Sequence, residues 1–537
     1  MSYIDDARHF EFNEVPFHLG FLPTEQSNEL TRFLDKEFAK STADGIRNLQ
    51  LVDRNVWKMA QKVFASKEFA DLCDSITATI QNGGKVVFSG CGATGRLSIL
   101  LESMWRTGCP EYAEQVKSIM TGGDYALVKS VESFEDYAVF GARQVQEMGM
   151  KKGDLLVAIT EGGETSSVLG TVKEFTSYGG KAVLLFNNPA HLLREHLERC
   201  REAIDNPLVT VLDLACGPMA LAGSTRMQAT TSEQLIGSSA LEVAAGRLYN
   251  NPVTLDFAAA FGELLDALES DSTVAKIAGH IDFEAEIYRK NGRVTYLADQ
   301  YMLDLFTDTT ERSPTFMLPG FRKIDDDTMP EPWAFVRNPL LPAADAMRRA
   351  LGNREMRCLN WQPSDYVAMQ VPESIVNNPP KISAADLSKI PVGNEELPSR
   401  YATGNDAAVL FCYGQAPAEF KDAADKEAAK FAHYVTMDAF CGKLPETRLN
   451  VFDRLAVKLQ WNTISTGTMV CLGRVTGNWM SYVAISNKKL IDRAIRLISE
   501  LGNVDYHTAC VELFRTNAES DGTPAVRQTL ERLAEGK

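Results

Sequence analysis

The sequence predicts an α/β protein built on doubly wound parallel sheets, and three observations carry that expectation. Lys85-Val86-Val87-Phe88-Ser89-Gly90-Cys91-Gly92-Ala93-Thr94-Gly95-Arg96-Leu97 is an apolar, β-branched run that breaks into glycines and then opens a helix. Asp154 to Ile159 runs into Thr160-Glu161-Gly162-Gly163-Glu164-Thr165-Ser166-Ser167 with the same order of strand, polar loop and helix. Strands and helices alternate over the first 250 residues, and from about Asn250 the plan recurs.

Taken in order, Glu29 to Phe38 and Asn55 to Gln81 read as helices ahead of the first strand. Gln115 to Met120 reads as a strand ending at Thr121-Gly122-Gly123-Asp124, and Val131 to Asp136 as the acidic start of a helix towards Met148. Lys181 to Phe186 and Val209 to Asp213 are further strands. In the second half, Phe257 to Leu268 reads as a helix, with strands at Arg293 to Ala298 and Ala407 to Tyr413. Asp299-Gln300-Tyr301-Met302-Leu303 stands where a second Gly-rich loop would fall, so this half reads as a degenerate copy without its own phosphate site. Arg312 to Pro342 and Pro379 to Pro398 read as loops or lids, and Val451 to Met480 as a long helix with a turn.

Both Gly-containing loops belong at the carboxyl ends of parallel strands, where open α/β sheets bind ligands. Backbone N–H groups at the helix starts, with the hydroxyls of Thr160, Thr165 and Ser166, suit a phosphate. The same residue types cap helices, and Gly90, Gly92 and Gly95 also suit close packing, so both readings stand at this point. The glycine spacing matches neither the dinucleotide fingerprint nor a P-loop.

The charge balance of 55 basic against 71 acidic residues, net −16 with no basic run, argues against a nucleic-acid or anionic-membrane surface. Any phosphate site must be a local pocket. Ten scattered cysteines without a CxxC pair and seven histidines without ligand spacing predict reduced thiols and no metal. No cofactor is expected. A polar, acidic N-terminus and the lack of an apolar run of about 18 residues predict a cytoplasmic protein.

Four segments together resemble the sugar isomerase (SIS) family: Ser89 to Leu97, Thr121-Gly122-Gly123-Asp124, Glu132-Ser133-Phe134-Glu135-Asp136 and Gly223-Ser224-Thr225-Arg226-Met227. Within it the likeness is to N-acetylmuramic acid 6-phosphate etherase and glucokinase regulatory protein, supported by Thr24 to Asn28, Asn462 to Gly467 and Gly473 to Asn478. The resemblance implies two tandem SIS domains, each a three-layer α-β-α unit, with helical ends. The expected division is a helical segment over 1–55, a first SIS domain with the phosphosugar site over 56–250, a degenerate second domain over 251–445 and a helical region contributing to the site over 446–537. About 220 residues separate Met227 from Lys458, an insertion that matches glucokinase regulatory protein rather than the etherase.

The resemblance also implies the site. Thr94, Thr160 and Thr165 become phosphate contacts, within loops that include Ser89, Gly92 and Gly95 on one side and Glu161 and Gly162 on the other. Lys458 becomes a point charge near the phosphate, and Glu135, with Glu132 in the same segment, falls on the position of the etherase base. The etherase acid position falls on Met104, which transfers no proton, and Glu102 lies roughly 200° away around a helix. The leading expectation is therefore a sensor of a hexose or amino-sugar phosphate, with a sugar kinase as a candidate protein partner. The alternatives are a lyase or isomerase using Glu135 as base, and a purely structural scaffold.

Overall fold

The computed structural model describes residues 2–519 and 524–535. Five strands form the first sheet: β1 (Val86–Gly90), β2 (Val116–Met120), β3 (Leu155–Ile159), β4 (Lys181–Phe186) and β5 (Val209–Asp213). All neighbours are parallel, in the order β2-β1-β3-β4-β5, with Val86 opposite both Val116 and Leu155. The first three strands are apolar and almost wholly buried, as strands covered on both faces must be.

The second sheet repeats this plan with four strands: β6 (Val294–Leu297), β7 (Ala334–Arg337), β8 (Ala407–Cys412) and β9 (His433–Asp438), in the order β7-β6-β8-β9 and again all parallel. β6 and β8 therefore correspond to β1 and β3. In each sheet the direction of winding reverses between that central pair, which opens a crevice at their carboxyl ends.

Helices Gln228–Leu248 and Val451–Cys471 pack against each other at the centre of the molecule. Both are buried nearly all round although both are rich in polar residues. Buried polar groups need partners, and a chain of them runs through this centre: Gln228 donates to Asp53 at 2.8 Å, Arg226 to Asp308 at 2.8 Å, and Arg312 to both Asp308 and Glu284. Asp308 sits on the second domain's helix Met302–Phe316. Burial raises its carboxyl's pKa, but Arg312 and Arg226 outweigh burial and the net shift is downward.

Three local differences from the sequence expectations have physical causes. The helix expected from Val131 starts later, at Ala138, because Glu132–Phe134 forms a short 3-10 turn with Phe134 fully buried. The stretch from Arg312 to Pro342 is not all loop: a helix continues to Phe316, and β7 lies within it, a four-residue buried strand, Ala-Phe-Val-Arg, between Pro332 and Pro339. β9, on the open edge of its sheet, carries a largely exposed, weakly patterned sequence. No helix among the described residues is long and apolar enough to cross a membrane, and no cluster of His, Cys, Asp or Glu there could hold a metal ion.

Candidate functional site

β1 ends at Gly90 because the turn into helix Gly92–Gly108 brings backbone against backbone. A Cβ on Gly90 would stand 2.4 Å from the Thr94 carbonyl, and one on Gly95 would stand 2.7 Å from Met120. Gly92 follows with φ +56°, a conformation that favours glycine, and its missing side chain leaves open space. β3 leads into a second glycine-containing loop, with Gly163 at φ +83° and Thr165 at the N-cap position of helix Ser166–Ser177. The two loops and the two helix starts flank a cleft that is open in part to solvent.

The walls come from distant parts of the chain. Cys91, Gly92, Ala93, Glu161 and Thr165 belong to the loops after β1 and β3, and Glu135 to the segment before helix Ala138–Glu147. Ser224, Thr225 and Arg226 form the floor. Glu311 reaches in from the second domain, Lys489 and Arg493 come from the C-terminal helix Lys488–Gly502, and Asn487 is the N-cap of that helix.

A hydrogen bond from the Ser167 amide to the Glu135 carbonyl, 3.0 Å, fixes Glu135 above the start of helix Ser166–Ser177. Its carboxylate accepts from Lys489 at 2.5 Å and from Asn487 at 3.3 Å. Lys489 also lies 3.6 Å from Glu164. Burial opposes its charge, but Glu135 and Glu164 outweigh burial and hold its pKa well above the ordinary lysine value. Arg493 behind it forms a paired contact with Glu25, 2.7 and 2.9 Å, and Arg496 adds 3.0 Å to the same carboxylate.

The early and late motifs meet here. Asn188 accepts from the Thr24 amide at 3.1 Å and donates to Gly162 O at 2.9 Å, so the N-terminal segment braces the loop after β3. Ser27 donates to Asn478 at 2.8 Å, and Asn478 donates to Asn28 O at 3.0 Å.

The residues singled out in the sequence fall into two groups. Gly92, Glu135, Glu161 and Thr165 line the cleft, and Gly162 lies within the second loop, where a Cβ would stand 2.0 Å from the Glu164 carboxylate. The others stand behind it. Ser89 is buried, 3.0 Å from Thr171 Oγ1. The Thr94 hydroxyl both accepts from the Cys91 amide at 3.1 Å and donates to Cys91 O at 2.8 Å, so it locks the turn. Gly95 serves close packing, and Thr160 donates to Thr165 at 3.1 Å. The Glu132 side chain lies outside the described residues.

Lys458 departs furthest from expectation. Its ammonium points at the back of the cleft floor, donating to Arg226 O (3.0 Å), Met227 O (3.2 Å), Thr231 (2.8 Å) and Asn462 (2.8 Å). It lines a small neighbouring pocket that shares Ala93, Arg226 and Glu311 with the cleft. Burial lowers its pKa to about 7, with Asp53 opposing. The floor segment stands between this lysine and the cleft, so it holds Ser224 to Arg226 in place. Glu102 is equally remote: it is fully buried, accepts from Ser118 at 2.6 Å and pairs with Arg354 and Arg357 of the second domain. Met104 is core.

The sequence reading gave no site role to Ser224, although its segment was noted, and missed Glu311, Lys489 and Arg493. Ser224 is buried, and its hydroxyl has no hydrogen-bond partner among the described residues. Glu311 pairs with the fully buried Arg96. One local signal did mark Lys489: Lys488 and Lys489 occupy the first helical positions after the Asn487 cap, where the helix dipole disfavours cations unless acidic partners stand opposite. Lys488 indeed pairs with Glu14 at 2.8 Å, as Lys489 does with Glu135.

Residues 68–176 match the family model described as glucokinase regulatory protein N-terminal SIS domain. An N-acetylmuramic acid 6-phosphate etherase from Synechococcus sp. (strain CC9902) is 31% identical over 253 residues, covering 46% of this chain and 74% of that protein. N-acetylmuramic acid 6-phosphate etherase 1 from Bacillus licheniformis is 29% identical over 237 residues, covering 44% of this chain and 73% of the relative. Among solved structures, tagatose-6-phosphate ketose/aldose isomerase from Escherichia coli superposes with a TM-score of 0.43 at 10% identity, covering 84% of this chain and 99% of that one.

Proposed function

The chain belongs to the SIS-domain family of the N-acetylmuramic acid 6-phosphate etherases, and from that premise we propose that it binds a hexose or amino-sugar phosphate in the cleft and acts as a sensor of it. The observation that carries this reading is the convergence of two helix starts on one cleft. The first-turn amides of Gly92, Ala93 and Ser166 have no acceptor among the described residues, and amides at a helix start favour an anion. Lys489 adds a charge to the cleft wall.

Sensing rather than turnover is supported by the position of the carboxyl groups. Met104 is in the core and Glu102 is held by two arginines, so neither donates a proton to a ligand in the cleft. An incoming phosphate competes with Glu135 and Glu164 for Lys489, on the helix whose Arg493 grips Glu25. Ligand occupancy is thereby coupled to the C-terminal helix and the N-terminal segment together, the surfaces through which a partner such as a sugar kinase would read it. A thermal-shift screen of hexose and amino-sugar phosphates tests the reading. Ligand at about 100 times its Kd stabilises by about 2.7 kcal/mol, and no shift with any of them would remove the proposal.

One observation keeps a lyase or isomerase as the second reading. Glu161 lines the same cleft as Glu135, and burial, with Glu311 and Glu135 adding to it, pushes its carboxyl up to about 7. A protonated and an ionised carboxyl in one site are the equipment of general acid and base. Release of a hydroxy acid or of an isomerised sugar, lost in Glu135→Gln, would favour this reading over the sensor.

A further inference from the structure

We propose that the cleft selects a phosphosugar carrying a free, cationic amino group, and that Glu161 is the residue that holds it. The inference rests on the sugar-phosphate reading of the cleft and adds the chemical class of the sugar.

Charge accounting carries it. Three carboxylates line the cleft: Glu135, Glu161 and Glu311. Glu135 is paired with Lys489 and Glu311 with Arg96. The lining arginines are taken as well, Arg493 by Glu25 and Arg226 by Asp308. Glu161 alone of the three has no basic partner among the described residues, and its one side-chain hydrogen bond comes from the neutral Thr230 hydroxyl at 3.2 Å. A half-buried carboxylate without a cation is costly to keep ionised.

The surroundings of Glu161 show the same deficit from every side. Burial raises its pKa, Glu311 and Glu135 push in the same direction, and Lys489 opposes them from the C-terminal helix. Glu233, buried on helix Gln228–Leu248, is itself raised well above the ordinary value by burial and by Glu161. The chain thus places an acidic cluster beside an anion cradle without supplying the balancing cation. A ligand with a phosphate at one end and an ammonium at the other satisfies both, as a hexosamine phosphate does. Acetylation of the amine removes the charge, and a hydroxyl at that position never has it.

The ammonium pairs with the ionised form of Glu161, so its binding near pH 6.5 displaces a proton from the carboxyl. That separates the inference from the lyase reading, in which Glu161 must keep its proton until the ether oxygen leaves.

The test is calorimetric titration of the full chain with glucosamine 6-phosphate, N-acetylglucosamine 6-phosphate and glucose 6-phosphate. Titrations run at pH 6.5 in two buffers of different ionisation enthalpy, on the unaltered protein and on Glu161→Gln. The expected result is that the free amine binds at least about tenfold tighter than the other two, the low end for a hydrogen bond to a charged group, with proton release. Glu161→Gln should abolish that preference, read as the ratio of free-amine to glucose 6-phosphate affinity within the same variant, with a melting curve to confirm that the variant is folded. Equal or weaker binding of the free amine, or a preference that survives in Glu161→Gln, would overturn the inference while the sugar-phosphate reading stands. Failure of all three ligands to bind would remove both.

Discussion

The two sheets present the same crevice with opposite contents. After β1 the chain turns through Gly92 at φ +56°, and after β6 through Tyr301 at φ +55°, each at the start of a long helix. In the first copy the absent side chain leaves a cleft. In the second the Tyr301 ring fills it, packing 5.3 Å from the Tyr413 ring, with Arg454 5.3 Å above it. Tyr413 donates to Asp453 at 2.7 Å and Phe440 closes over its ring at 5.7 Å. The first copy's turn leaves a cleft, and the second copy's turn carries a tyrosine packed among aromatic neighbours. The plugged copy keeps a task as a buttress: its helix Met302–Phe316 supplies Asp308 behind the cleft floor and Glu311 to the cleft wall.

If the second copy is a buttress, the largest loss of stability should come from breaking its contact with the first. Asp308→Ala leaves Arg226 and Arg312 buried without their shared carboxylate, and the expected cost is about 3–5 kcal/mol in urea unfolding. A loss under 1 kcal/mol would mean that the two copies stand independently.

The two lysines sharpen the comparison on the ligand side. Lys489→Met should weaken sugar-phosphate binding by about 1.5–3 kcal/mol, the range for hydrogen bonds to a charged group, and leave the weak binding of free sugar unchanged. Lys458→Met acts only through the floor, so any loss should be equal for phosphorylated and free sugar. Calorimetric titration of both variants with both ligands decides it, and a phosphate-specific loss at Lys458 would restore that residue to the site.

Glu161 predicts a pH effect of definite sign. Its folded pKa of about 7 stands above the ordinary carboxyl value of 4.5, so the fold favours the protonated form. The stability it contributes is complete below pH 4.5 and is lost as pH rises through about 7. Glu161→Gln should therefore gain on the unaltered protein between pH 5 and 8, by on the order of 2 kcal/mol, read as a melting-temperature difference that grows with pH. A constant difference would show that the carboxyl does not titrate there. The smallest effect belongs to the turn itself: Gly92→Ala meets no atom, and should cost about 1 kcal/mol of stability for its left-handed backbone alone.

What the sequence disclosed follows from how local each signal is. The strand, loop and helix units at Lys85–Leu97 and Asp154–Ser167 were legible because apolar runs and glycines report on their own neighbourhood, and so was the second copy, with Asp299 to Leu303 standing where a Gly-rich loop would fall. β7 and β9 were not, being a four-residue run between prolines and an exposed edge strand. Lys458 looked like a ligand group because the family resemblance implied it, yet the floor segment in front of it is visible only in three dimensions. Glu311 lies 150 residues beyond Glu161 and meets it only after the second domain has docked, so no window of sequence announces it. Lys489 was half legible, as a cation at a helix start that demands acidic partners the sequence alone does not identify.

The central claim is that the open crevice of the first copy holds the phosphate of a sugar ligand, and a crystal structure of the chain with a bound hexosamine 6-phosphate tests it most directly. The account predicts the phosphate within hydrogen-bond distance of first-turn amides of Gly92 and Ala93 or of Ser166, with Lys489 turned towards it. A phosphate seated against Lys458, or in the crevice after β6 with Tyr301 displaced, would contradict it.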